Sequence, residues 1–293
     1  MKLFRFLRSP DPSKVGWPLP FQNRAAPGVV LGDKHLDVSA SGFDFDRTFF
    51  TEGQKPLEDW LDRNEASCPI LDAASLHFCE PVVEPSKIIA IGLNYRSHAS
   101  EMTSDVPREP KVFMKATTAL AGVSDPVKLP PGSLELDYEL ELAVIIGKMT
   151  RHVSVADAGA SIYGFAMMND YSEREYQKKR EGQWVKGKSC DTFAPLGPYV
   201  VPARSIDPTN LELNLSVNRE VRQSGSTRDM VFSVFDIVAN LSQYMTLLPG
   251  DVITTGTPSG VGMGFSPPRF LRAGDSVEYR ISGLGSARQT VIE

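Results

Sequence analysis

Residues 137–147 read DYELELAVIIG, and the fold turns on this stretch. Tyr138, Leu140 and Leu142 alternate with Glu139 and Glu141, the period of two expected of a β-strand, so both glutamates project from one face. A lone E-x-E pair is ordinarily the wet face of an antiparallel sheet. Here the charges lead straight into a Val-Ile-Ile segment with the character of core, and two like charges on a partly buried face call for cations. A divalent metal is the economical answer. The segment IYGFAMMND, 162–170, is a second apolar strand, and its end at Asn169-Asp170 brings a third carboxylate to a place where loops and sites collect. Three oxygen ligands with open positions suit Mg²⁺ or Mn²⁺.

Outward from these two segments, strand patterns recur in SKIIAIGLN before residue 95, KVFMK at 111–115, LELNLSVN at 211–218, DVITTG at 251–256 and DSVEYRI from 275. One helix is well marked. Ser233 stands three before Asp236 as a capping box, Val234, Ile237, Val238, Leu241 and Met245 follow with helical spacing, and Pro249-Gly250 stops it. There is no fixed-period repeat, and the βα alternation of a dinucleotide-binding sheet or a (β/α)8 barrel is missing. The expected class is α+β, mainly β. Pro10, Pro12, Pro18, Pro20 and Pro27 break up the opening eighty residues, which predicts a small N-terminal domain over 1–83 and a main domain over 84–293, with Pro81 and Pro85 at the boundary.

The 293 residues, 41% hydrophobic and 23% charged, are enough for a sizeable core. With 31 Lys+Arg against 36 Asp+Glu, the formal net charge is -5, which offers no positive field for nucleic acid. No apolar run approaches the ~20 residues that span a bilayer, so no membrane role is expected. The start, MKLFRFLRSPDPSK, has no sustained apolar region of a secretion signal, which makes the cytoplasm the expected location. Cys68, Cys79 and Cys190 suggest neither a disulfide framework nor a zinc site, and His35, His77, His98 and His152 are scattered. Any metal must then rest on carboxylates.

In YRSHASEM, His98 and Glu101 are three apart and share a face of a helical turn. A glutamate that fixes one imidazole nitrogen leaves the other as a base for water. The polar TSDVPREPK that follows predicts a lid. Downstream, Arg174, Gln177 and Lys188 can meet a carboxylate substrate; Lys188, between Gly187 and Ser189, is placed for close approach, while Lys178-Lys179-Arg180 reads as a solvated helix face. In LPGDVITTGTPSGVGMG, the glycines with Thr254, Thr255 and Thr257 are expected to hold an anionic or enolate oxygen.

Taken together and in order, GLNYRSHASE, DYELELAVIIGK, GFAMMNDYSEREYQ, GKSCDTFAPLGP and PGDVITTGTPSGVG resemble the fumarylacetoacetate hydrolase family over about residues 84–293. The resemblance implies a mixed β-sandwich roll, usually homodimeric, with Mg²⁺ or a similar cation on Glu139, Glu141 and Asp170. It implies water activation by His98 and Glu101, charge stabilisation by Lys188, and substrate contacts from Gln177 and Thr257. Arg174 is placed with them, although YSERE stands where VSARD is frequent and sets Glu173 and Glu175 beside it. The implied reaction is hydrolysis of a carbon–carbon bond in a 2,4-diketo acid to pyruvate and a second acid. The wording of SERE and GKSCDTFAPLGP is nearest to bacterial hydrolases of 2,4-diketo-3-deoxy sugar acids such as those from L-rhamnonate or L-fuconate, which would release lactate. Arg96, Ser97 and Ser100 are then expected to meet the hydroxylated tail. Acylpyruvate hydrolysis, oxaloacetate decarboxylation and diketo-acid isomerisation are the alternatives within the family, and a non-catalytic β-rich binding protein is the alternative outside it.

Overall fold

In the computed structural model, residues 1–8 and 25–293 are described, so Pro10, Pro12, Pro18 and Pro20 lie outside the described residues. The strand Leu140–Ile146 is buried at every position, and the reason is its neighbours. Ile162–Asn169 runs antiparallel on one side, pairing Leu140 with Asn169 and Glu141 with Met168, and Val252–Thr254 runs antiparallel on the other. With both edges paired and both faces covered, this stretch is a central strand, and a wet face is excluded. Ile88–Gly92 then adds in parallel, and Lys111–Lys115 closes that end of the sheet antiparallel to it. The alternating pattern thus identified an element, but its burial came from sheet position.

On the other side, Ala194–Pro202 pairs with Ile162–Asn169. The sequence patterns did not point to this strand, because Pro195, Pro198 and Pro202 argue against a ladder. The ladder skips register between Phe165 and Met167, leaving residues 198–200 opposite Ala166. Beyond it, Lys2–Leu7, Ala26–Leu31, Lys34–Asp37 and Ile70–Leu71 continue the same sheet, joined at Leu3 and Val200. Pro27, expected as a breaker, sits within Ala26–Leu31. The main core draws on both parts of the chain, Leu3, Val29 and Phe49 with Ile88, Leu142 and Phe165.

A second sheet orders Glu220–Ser226, Glu212–Val217, Ser276–Ile281, Gly285–Ile292 and Val127–Lys128, and its inward residues Leu213, Leu215, Val277 and Tyr279 join that core. The helix Val234–Tyr244 has the capping box expected of Ser233 and Asp236 and buries Val234, Ile237, Val238 and Leu241. The architecture is α+β and mainly β. Among the described residues, no helix is long and apolar enough to cross a membrane.

Candidate active site

Period-two alternation continues through the start of the central strand, so Asp137, Glu139 and Glu141 follow one another on the same side, and Asp170 arrives from the end of the adjacent strand. The backbone N–H of Asp170 donates to the Glu139 carbonyl at 2.7 Å, and Asn169 Oδ1 accepts from the Glu139 N–H at 2.8 Å. These bonds tie the two strand ends together. Oxygen atoms of Glu139, Glu141 and Asp170 lie within 4.8 Å of one another, all three residues buried.

Each carboxylate is held differently. Arg174 Nη2 donates to Glu139 Oε1 at 2.6 Å and its Nε to Asp137 Oδ2 at 2.9 Å, while Lys188 bridges Glu139 and Asp170, 2.6 Å from the latter. Lys115 pairs with the other Asp170 oxygen. Burial opposes ionisation of Glu139, yet Arg174 and Lys188 outweigh it and hold this carboxyl well below the usual range. For Lys188, Asp170 and Glu139 overcome burial and raise the ammonium; for Lys115, burial dominates, and its ammonium is pulled down despite Asp170. Among the described residues, Glu141 has no cation in contact. It accepts only from the Thr254 hydroxyl and from the Gly256 N–H at 2.6 Å, and burial with the charges of Asp170 and Glu139 pushes its carboxyl well above the carboxylate range.

That imbalance is what a divalent cation would correct. Oxygen ligands at about 2.1 Å from Mg²⁺ stand roughly 3 Å apart when adjacent and about 4.2 Å when opposite. The carboxylate oxygens, within 4.8 Å of one another, are near that spacing, and the all-oxygen donor set suits a hard cation. The residues present fit the group.

Glu139 and Glu141 open on a cavity of ≈ 140 Å³ that is also lined by His98, Arg174, Gln177, Lys188 and Thr257, among others. His98 sits in the helix Arg96–Glu101, its Nδ1 3.1 Å from Glu101 Oε2, and Glu101 Oε1 accepts from the Gly260 N–H at 2.8 Å. Gly264 lies so close under Glu101 that any Cβ there would overlap its carboxyl. The expected lid helix is therefore docked. Gln177 Oε1 accepts from Arg174 Nη1 at 3.0 Å, which turns the amide N–H groups away from that partner at the cavity wall. Arg174 is itself buried: Glu173 caps the helix Arg174–Lys178, Glu175 pairs with Arg180, and neither acidic neighbour takes the guanidinium. The run 178–180 is exposed, although Lys178 still borders the cavity.

Two expectations are corrected. The hydroxyls of Thr254, Thr255 and Thr257 and the N–H groups of Gly256, Gly260, Gly262 and Met263 are turned to protein acceptors and not to an oxyanion. Thr254 and Gly256 serve Glu141, Thr255 serves the Leu142 carbonyl, Gly260 serves Glu101, and the Gly262 and Met263 N–H groups serve Asp137. Thr257 lines the cavity, but its only proton goes to the Leu140 carbonyl at 2.9 Å and it accepts from Gln223 at 2.8 Å, so toward a ligand it can only accept. Arg96, Ser97 and Ser100 are exposed on the outer face of their helix and do not line the cavity. Residues the sequence reading passed over are Asp137, Lys115, Phe113 and Trp184. The first was legible as one more member of the alternation, and the next two as alternate residues of KVFMK; Trp184 has no sequence signal.

A family profile described as fumarylacetoacetate hydrolase, C-terminal, matches residues 87–292. Human mitochondrial oxaloacetate tautomerase FAHD2A (Homo sapiens) is 44% identical over 239 residues, covering 81% of this chain and 76% of that protein. A fumarylacetoacetate hydrolase from psychrophilic Exiguobacterium antarcticum superposes with a TM-score of 0.85 at 33% identity, over 100% of this chain and 99% of that one. The maleylpyruvate hydrolase of Sphingobium sp. SYK-6, solved with manganese(II) and pyruvate, gives 0.78 at 30% identity over 100% and 99%. With its profile match, its sheet order and its buried acidic trio in agreement, this chain belongs to the fumarylacetoacetate hydrolase family.

Proposed function

We propose that this enzyme hydrolyses the C3–C4 bond of a 2,4-diketo acid, releasing pyruvate and a second carboxylic acid. The observation that carries the reading is His98, paired with Glu101, on the same cavity as Glu139 and Glu141 of the acidic trio. A cation on Glu139, Glu141 and Asp170, Mg²⁺ or Mn²⁺, would supply Lewis-acid chemistry at the 1-carboxylate and 2-keto oxygens of the substrate. Glu101, fixed by Gly260, holds the imidazole so that His98 Nε2 takes a proton from water. The water oxygen bonds to C4, the C3–C4 bond breaks with its electron pair left on C3, and a proton delivered to C3 completes pyruvate. Lys188 and the amide of Gln177 offset the negative charge that gathers on the pyruvyl half.

His98→Ala tests it: hydrolysis, read as pyruvate through coupled lactate dehydrogenase, should fall by ~10²-fold or more. Pyruvate and carbon dioxide from oxaloacetate that survive this substitution would replace the hydrolase by a decarboxylase. A second reading, keto–enol tautomerisation of a 2-oxo acid, is favoured by the identity to the human oxaloacetate tautomerase. It predicts loss of the enol absorbance without pyruvate. A sugar-acid substrate has less support, since Arg96, Ser97 and Ser100 stand outside the cavity.

The chemistry falls within 84–293, which we take as the catalytic domain, with 1–83 as a small N-terminal domain on its sheet edge. A homodimer through the free edge of Lys111–Lys115, where Val112 and Met114 are exposed, belongs to the same proposal, and a monomer by light scattering would remove it. Cytoplasmic location is kept on the three free cysteines, and import of the tagged full chain into an organelle would overturn it.

A further inference from the structure

Asp137 precedes the two glutamates of the central strand and is fully buried, yet it does not line the cavity. Its carboxylate is nevertheless fully engaged, because four N–H groups converge on it. Oδ1 accepts from Gly262 at 2.6 Å and from Tyr138 at 2.9 Å, and Oδ2 accepts from Arg174 Nε at 2.9 Å and from Met263 at 3.0 Å. Each oxygen takes two donors. An amide in its place offers one oxygen and a nitrogen that is itself a donor, so at least two of the four N–H groups would lose their acceptor.

The partners lead to the two halves of the site. Arg174 continues to Glu139 and to Gln177. The loop at 260–264 continues to the base: the Gly260 N–H donates to Glu101 Oε1, Gly264 lies under the Glu101 carboxyl, and Glu101 holds His98 Nδ1. One loop therefore faces Asp137 with Gly262 and Met263 and faces Glu101 with Gly260 and Gly264. Gly262 is pressed so near that a Cβ would stand 2.7 Å from Asp137 Oδ1. On the outer side, Arg222 and Arg269 lie 5.1 and 5.0 Å from the ring of Phe265 and share Glu220, a carboxylate more than half exposed. Solvent screens that outer clamp, whereas the inner contact is dry and fully paired.

We propose that Asp137 is a positioning residue for the base. By fixing the loop it sets the Glu101 carboxylate and through it His98, and by holding Arg174 with the same carboxylate it keeps the base in register with the acidic centre. This rests on the reading of His98 as the base toward water.

The test is pyruvate release from 2,4-dioxopentanoate by the Mn²⁺-loaded full chain as parent, D137N, H98A and D137N/H98A, with hydrogen exchange by mass spectrometry on parent and D137N. D137N should lower kcat by about 30-fold in the parent, the size for a base displaced by a fraction of an ångström. Added to H98A, it should cost no more than about threefold, because the group it positions is gone. Amides of 96–101 and 260–264 should exchange about tenfold faster in D137N, while those of the helix Val234–Tyr244 keep the parent rate. G264A reaches the same seat from the other side. Its methyl group meets only the flexible end of Glu101, so the fold is kept, and it should show a similar loss of kcat with the same dependence on His98. Equal losses from D137N with and without His98, or unchanged exchange at 96–101, would make Asp137 a residue of the fold alone and overturn the proposal. Full kcat in G264A would overturn it as well, and G264A decides the matter if D137N does not melt cooperatively. No pyruvate from the unaltered protein would instead remove the hydrolase reading, and the exchange rates would still decide whether Asp137 seats the helix Arg96–Glu101.

Discussion

Glu141 is the residue on which the chemistry of the centre depends, because it is the carboxylate with no cation of its own. Its oxygens are 2% exposed in residue terms and satisfied only by a threonine hydroxyl and a backbone N–H. In the metal-free protein an ionised group there is a net cost, whereas a bound cation turns the same burial into affinity. Glu141→Gln should accordingly leave the metal-free melting temperature unchanged or higher while abolishing the rise that Mn²⁺ gives the parent, and should weaken Mn²⁺ by about 100-fold or more in titration calorimetry. A metal-induced stabilisation that survives the substitution would remove Glu141 from the ligand set. The sequence alone carried the acidic trio because strand alternation is a local property. It did not carry the partners Lys115 and Asp137, whose roles depend on pairing across 55 and 37 residues of chain.

At the scale of elements, the short helix Val185–Lys188 illustrates how a glycine decides the position of a cation. Any Cβ on Gly187 would overlap the backbone of Glu173 and Gln177, so a side chain there pushes this helix off its neighbour and Lys188 away from Glu139 and Asp170. Gly187→Ala is expected to cost ~1–3 kcal/mol by overpacking and to lower kcat by at least tenfold, measured by urea unfolding and pyruvate release. Unchanged kcat would mean that the Lys188 position is not set by this contact. The sequence reading took Gly187 as room for a ligand to approach Lys188; the close approach that the structure shows there is to the backbone of Glu173 and Gln177. The Thr/Gly loop was misread for a related reason. Sequence shows donors without showing where they point, and here five carboxylate contacts consume them. The strand Ala194–Pro202 stayed hidden because a register skip, which only the partner strand reveals, accommodates Pro198.

Across the whole molecule, one charge network ties the first strand, through Arg5, to Glu80 at the end of the N-terminal part. Arg5 divides itself between Asp44, at 2.9 and 3.1 Å, and Glu80 Oε1 at 3.2 Å, while Glu80 Oε2 is buried without a partner. Burial wins over the shared arginine, and the Glu80 carboxyl is pushed up to about 7. An acid whose folded pKa exceeds its unfolded value binds its proton longer in the folded state. Its contribution is thus greatest below the unfolded value near 4.5 and is lost as pH rises to 7. The shift corresponds to roughly 3 kcal/mol. Glu80→Gln should flatten the fall in stability between pH 4.5 and 7 and raise the melting temperature at pH 8. A parallel pH profile for the variant and the parent would show that Glu80 ionises freely.

The pairing of Leu3 with Val200 has one more consequence, which concerns solubility. The strand Ala194–Pro202 is buried at all but one position and has Lys2–Leu7 along its outer edge. A chain shortened to begin at residue 84 would bare the part of that edge around Val200, beyond the stretch that Leu120–Gly122 pairs, and unpaired backbone beside apolar side chains is a template for pairing with other copies. Such a chain should form large species in light scattering at concentrations where the full-length protein does not. Damage to residues 2–7 would then be felt in a cell as aggregation, long before it was felt as slow turnover.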